Sequence, residues 1–182
     1  YKMKNIVAID VGNSETTVGV GNNLSWRSYR YTTRKTITSD ELFMMFKTTI
    51  DPESINDENL DGSIICSVVP QITESVVEAT ERFTSKKVYT VGPGIKTGLK
   101  VNIDNPKELG PDRIANSVGG FKMAQKSVII VDLGTATTFD VVNDKKEYLG
   151  GSIAPGIKIS LEALTTKTCL LYTSDAADEN PS

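Results

Sequence analysis

Two stretches of this chain combine an apolar run, a carboxylate, a glycine and hydroxyls at a spacing that suits a phosphate and its cation. In Val128-Ile-Ile-Val-Asp-Leu-Gly-Thr-Ala-Thr-Thr-Phe-Asp-Val-Val142, four apolar residues lead into Asp132, a glycine and hydroxyls follow, and a strand pattern resumes at Phe139. The pattern predicts two strands joined by a tight turn. Such a turn offers backbone N–H groups to an anion while its aspartate meets a cation. Ile6-Val-Ala-Ile-Asp-Val-Gly-Asn-Ser-Glu-Thr-Thr-Val-Gly-Val20 lays over it without gaps, setting Asp10 on Asp132, Gly12 on Gly134, Thr16 on Thr138 and Val20 on Val142. A hairpin written twice predicts two similar lobes facing each other across a cleft, a duplicated nucleotide-binding fold. One copy alone would predict only a turn.

The chain contains no histidine. That excludes Ser-His-Asp and Cys-His catalysis, histidine-containing zinc sites and any histidine base. A carboxylate is therefore the expected agent for deprotonating a substrate. Gly110-Pro-Asp-Arg113 opens a helix through Ile114, Ala115, Val118 and Phe121, with Pro111 suited to the first helical position. Asp112 falls in the first turn, where the helix dipole favours an anion, with Arg113 beside it. That placement fits a general base, but an acid there is also what any stable helix prefers, and taken alone Asp112 and Arg113 read as capping and surface residues rather than catalytic ones.

The elements that would position these groups alternate between strands and helices, which predicts an α/β fold with a largely covered sheet. Residues 24–31 alternate as a strand, with Trp26 and Tyr29 read as packing residues. Thr38 and Glu41 have capping-box spacing ahead of a helix buried through Leu42, Phe43, Met45 and Phe46. An acidic loop over 51–62 leads to a buried strand over 63–69, stopped by Pro70. A helix through Val76, Val77, Ala79 and Phe83, a strand over 87–91 and a turn at Gly92-Pro93-Gly94 follow. The polar stretch 100–110 is read as the crossing to the second lobe. Residues 148–156 are read as two glycine turns around a short strand, ahead of a helix over 160–168. Tyr1 and Lys2 precede Met3, a plausible start, and 169–182 reads as a foreign tail resembling translated adapter sequence. The expected units are thus 3–109, 110–168 and the tail.

A length of 182 residues can bury a real core, and a net charge of -3 with a pI near 5.1 gives no basic footprint for nucleic acid. No apolar run approaches membrane-spanning length and no signal segment opens the chain. Cys66 and Cys169 lack metal-ligand spacing, so a reducing cytoplasm is the expected compartment.

Together these stretches resemble the type III pantothenate kinases, also called the Bvg accessory factor-like family. The family's marks occur in order: Asp10-Val-Gly-Asn-Ser14, Ser67-Val-Val-Pro70, Asn105-Pro106, Gly110-Pro-Asp-Arg113, Asp132-Leu-Gly-Thr-Ala-Thr137 and Gly150-Gly-Ser-Ile-Ala-Pro-Gly156. The resemblance implies the duplicated ribonuclease H-like two-lobed fold of the actin-like ATPase superfamily, with ATP in the cleft and the second lobe incomplete. It implies transfer of the γ-phosphoryl of ATP to pantothenate, the first step toward coenzyme A, with Mg²⁺ and a monovalent cation, potassium or ammonium. By the family pattern Asp10, Val11, Gly12, Asn13, Ser14, Glu15, Thr16 and Thr17 contact ATP, joined by Thr135. Gly110, Pro111, Asp112 and Arg113 contact pantothenate, Asp112 accepts the proton, and Asp132 binds the monovalent cation. A homodimer is implied for the full-length protein, without nucleic-acid or membrane partners. Pro111 replaces a smaller residue common in the family, and Ile103 stands where some members carry a substrate-contacting tyrosine. Two rival readings are an ATP hydrolase or phosphatase of the same superfamily and a non-catalytic ATP-binding regulator.

Overall fold

The computed structural model describes residues 4–55, 59–92 and 95–167. The expected tail, the turn residues Pro93 and Gly94 and the first three residues lie outside them. The alternation around the first turn folds into the hairpin β1 (Asn5–Val11) and β2 (Glu15–Gly21), extended antiparallel by β3 (Trp26–Thr32). Two crossovers then bring the chain back parallel. Helix α1 (Ser39–Thr49) leads to β4 (Leu60–Ser67) beside β1, and α2 (Pro70–Thr84) leads to β5 (Val88–Thr90) beside β4. The sheet order is β3-β2-β1-β4-β5. Pro70 is the first residue of α2, where its missing N–H is no loss, as well as the stop of the strand before it.

The capping box of α1 forms as its spacing predicts. Thr38 Oγ1 accepts from the Glu41 backbone N–H at 3.2 Å, and Glu41 Oε2 accepts from the Thr38 N–H at 2.9 Å. Thr38→Ala is expected to lower stability by about 1 kcal/mol, read as an earlier midpoint in urea.

The second sheet has the order β6-β9-β8-β7, built from β6 (Lys100–Val101), β7 (Val128–Leu133), β8 (Ala136–Val142) and β9 (Glu147–Pro155). Helix α3 (Pro111–Ala124) lies between β6 and β7 in the chain, and α4 (Ile157–Lys167) follows β9. Strand β6 pairs with β9 although it lies in the stretch assigned from sequence to the first lobe. Strand β9 runs unbroken through Gly150 and Gly151, where the sequence suggested the first of two glycine turns, and ends just before Gly156. Gly150 adopts φ +125° beside the β-bulge at Val141/Val142.

The hairpins repeat, with one slip. Asp10 pairs with Thr17, but Asp132 pairs with Thr138, so the second turn is one residue shorter than the first. Thr138 thus takes the place of Thr17, and Thr137 that of Thr16. The gapless overlay holds for the first strand of each hairpin and fails for the second.

The two sheets are also clothed differently. Val7, Ile9, Val11, Val18 and Val20 are buried with Leu42 and Phe46 of α1 and Ile72 and Val76 of α2. Their counterparts Ile129 and Leu133 in β7 are 65% and 66% exposed, and Ile153 in β9 is 64% exposed.

Candidate functional site

Helix α3 joins the sheets: its Ile114 packs with Cys66 of β4 and with Val142 and Tyr148 of the second sheet in one cluster. Gly110 caps it in extended geometry and Pro111 occupies its first turn, with the Ile114 N–H donating to Gly110 O at 3.1 Å. The adjoining residue, Asp112, thereby reaches the cleft between the hairpins. Asp10, Asp112, Asp132 and Thr17 line two cavities at once. One, of about 480 Å³, is completed by Gly12, Asn13, Ser14, Glu15, Gly134 and Thr135. The other, of about 360 Å³, is walled by apolar groups including Ala8, Trp26, Ile64, Val91 and Ala115. A row of carboxylates thus separates a polar chamber from a mainly apolar one.

The polar chamber is built by the two turns. Gly12 N–H donates to Glu15 O and Gly134 N–H to Ala136 O, each at 3.0 Å. Thr33 Oγ1 braces the first turn by donating to Gly12 O at 2.8 Å and meets Thr16 Oγ1 at 2.8 Å. Ser14 Oγ and Thr135 Oγ1 lie 3.0 Å apart, tying one turn to the other across the cleft. The backbone N–H groups of Asn13, Ser14 and Thr135 make no hydrogen bond among the described residues. Unpartnered donors converging from two turns are the arrangement that binds phosphate oxygens.

Burial raises the Asp10 carboxyl above its ordinary range, and the charges of Asp112 and Asp132 raise it further. The Cys66 thiol is pushed up to about 12 by burial and by Asp10 and Asp112, which keeps it an inert thiol. Asp132 is steadied by Asn116, whose Nδ2 donates to its Oδ2 at 2.8 Å. The Asp10 shift has a stability consequence with a definite sign. A carboxyl whose folded pKa is raised stabilises fully below its unfolded value and loses that contribution as pH rises through the folded one. At neutral pH the ionised group is therefore a burden. Asp10→Asn is expected to raise stability slightly at pH 7, the effect being small because the side chain is accessible to solvent. The gain should vanish below the ordinary carboxylate range; urea unfolding at both pH values measures it.

Of the residues singled out from sequence, Asp10, Gly12, Asn13, Ser14, Glu15, Thr17, Asp112, Asp132 and Thr135 meet at the cleft. Val11 and Thr16 are buried on the opposite face of the hairpin, as strand alternation requires, and can offer a ligand only backbone. Gly110, Pro111 and Arg113 line neither cavity. Arg113 instead enters the second sheet. Its Nε donates to Asp140 Oδ1 at 2.8 Å and its Nη2 lies 2.8 Å from the same oxygen. Trp26, expected to be a packing residue, is 51% exposed and walls the apolar chamber. Asn116 stands outside the sequence motifs, but its position four residues after Asp112 puts both on one helix face.

The chain matches the type III pantothenate kinase family over residues 6–181. It is 42% identical over 168 residues to a type III pantothenate kinase from Syntrophotalea carbinolica and 44% identical over 167 residues to one from Geotalea uraniireducens. Each alignment takes in 91% of this chain but 66% and 65% of those proteins, so the chain spans just under two thirds of their length. In structure it resembles a Baf-family protein from Campylobacter jejuni, with TM-score 0.52, 16% identity and coverage of 97% of this chain and 68% of the other. A Ppx/GppA-family protein from Aquifex aeolicus gives TM-score 0.51 at 13% identity, covering 92% and 55%. These likenesses are of fold alone. By the match over nearly its whole length and by its identity to these relatives, the chain belongs to the type III pantothenate kinase family.

Proposed function

We propose that this chain carries the nucleotide-gripping and proton-accepting machinery of an enzyme that phosphorylates pantothenate with ATP, yielding 4'-phosphopantothenate for coenzyme A synthesis. The observation that carries the reading is the row of Asp10, Asp112 and Asp132 between a chamber of unpartnered N–H groups and an apolar one. The turns hold the phosphates, with Asn13, Ser14 and Thr135 donating to their oxygens. The apolar chamber takes the dimethyl-bearing end of pantothenate, with Asp112 on its wall at the start of α3. Asp112 then lies between the two reactants. It takes the proton of the primary hydroxyl as that oxygen bonds to the γ-phosphorus, the bond to the β,γ-bridging oxygen breaks, and ADP leaves.

Asp10 and Asp132 supply negative charge suited to cations. Among the described residues no group of three or more ligating side chains is close enough to hold a metal alone. The residues therefore fit Mg²⁺ in company with phosphate oxygens, Asp10 completing its shell, and a monovalent cation at Asp132, potassium or ammonium. When bound, these ions neutralise charge on the phosphates. A cytoplasmic location and a homodimer complete the reading.

The test is ADP release from ATP and Mg²⁺, with and without pantothenate, in potassium and then in sodium. Turnover that needs pantothenate and is faster in potassium is expected. Equal ADP release without pantothenate would replace the kinase by a hydrolase, and ATP binding without turnover in a folded chain would leave a regulator.

A further inference from the structure

The contacts of Arg113 run away from the cleft, although the residue directly follows Asp112. Its guanidinium is pinned on several sides. Nε and Nη2 both meet Asp140 Oδ1, Nη2 also donates to Phe139 O at 3.4 Å, and Gly151 leaves the space it occupies, since a Cβ there would collide with Nη2 and with Phe139 O. Asp140 has no exposed surface. Its Oδ1 also accepts from the buried Tyr148 hydroxyl at 2.7 Å, and Thr138 Oγ1 lies 3.5 Å from its Oδ2. A buried carboxylate with this many donors keeps one orientation, because any other would leave it unpaired. The same helix turn is tied on its other side by Asp112 itself, whose Oδ1 accepts the Arg113 backbone N–H at 2.8 Å.

We propose that Asp140, held by Tyr148, is a positioning residue for Asp112: by gripping Arg113 it fixes the first turn of α3 against the strand that follows the second phosphate turn. Asp140 and Asp132 lie on paired strands of one hairpin, so the clamp sets the placement of Asp112 against both the turn and Asp132. Its catalytic consequence rests on the kinase reading; its mechanical consequence does not.

The test uses Asp140→Asn, with Tyr148→Phe as a milder variant that keeps the ion pair. In Asp140→Asn the amides of Arg113 and Ile114 are expected to exchange with solvent at least about tenfold faster, while those of Ile9 and Ile65 in the first sheet stay protected. Unchanged exchange at Arg113 and Ile114, or a uniform rise in both sheets, overturns the clamp whether or not the protein turns over pantothenate. Should Asp140→Asn fail to fold, the same comparison in Tyr148→Phe decides, with a smaller rise confined to the same two amides expected. In the active enzyme, Asp140→Asn is expected to lower kcat about 30- to 100-fold with KM for ATP little changed. It should add nothing to the loss already present in Asp112→Asn. Multiplying losses would show Asp140 acting by another route and overturn the proposal. Absence of pantothenate-dependent turnover in the unaltered protein would sink the kinase reading and leave the clamp to stand or fall on exchange.

Discussion

Replacing Asp112 by asparagine is expected to lower kcat for pantothenate-dependent ADP release by about 10³-fold, in the middle of the range for loss of a positioned general base. The change keeps shape and keeps an oxygen for the Arg113 N–H, which donates to Asp112 Oδ1 in the native protein. It removes only the ability to accept a proton and one negative charge. Because that charge helps to raise the Asp10 carboxyl, the variant should be at least as stable as its parent. Loss of turnover with unchanged or improved melting is therefore the signature of chemistry removed from an intact cleft. Activity within tenfold of the parent would assign Asp112 to capping the helix and nothing more.

The second large effect is expected from the smallest change, Gly156→Ala. Gly156 precedes α4 and donates its N–H to Thr135 O at 3.1 Å. A Cβ built on it would run into the carbonyl oxygens of Gly134 and Thr135, which are backbone atoms and cannot turn aside. The turn between β7 and β8 must move, at an expected loss of about 2–4 kcal/mol, and Thr135 moves with it. Calorimetry should show nucleotide affinity falling with stability. Gly62→Ala is the control, because nothing lies within 4 Å of a Cβ there and its effect should be slight.

What could be read from sequence was whatever is local. Each hairpin declares itself by an apolar run, an aspartate and a glycine within a dozen residues, and the capping box of α1 needs only Thr38 and Glu41. The shared cleft followed from the repetition, although the side chains facing it did not all follow. Val11 and Thr16 stand within the turn motif, yet strand alternation turns them into the core. The missing residue in the second turn was invisible to a gapless overlay, because Thr137 and Thr138 offer the same side chain at either register. The Arg113–Asp140–Tyr148 group left no trace in the sequence. Its members lie 27 and 8 positions apart, on a helix and two strands, and Asp140 reads in the alternation as an ordinary outward polar residue. Only tertiary pairing shows that it is the most enclosed charge in the second sheet. Strand β9 misleads for a related reason: glycine marks a break in a pattern, but the fold decides whether a break ends an element or is absorbed as a bulge.

The outward apolar side chains of the second sheet imply that the two halves do not melt together. The first half closes on its own core of valines, isoleucines and helix residues, whereas Ile129, Leu133 and Ile153 gain little from folding because they stay in water. Heating the unliganded chain should then give two transitions rather than one, the weaker belonging to the sheet that carries Asp132 and Thr135. If both turns hold the nucleotide as proposed, it is released when either half opens and so couples them. At a hundredfold excess over its Kd it would add about 2.7 kcal/mol and draw the lower transition up toward the higher. The ligand would then act as the missing piece of cooperativity, making one folding unit out of two that sequence repetition alone leaves merely alike.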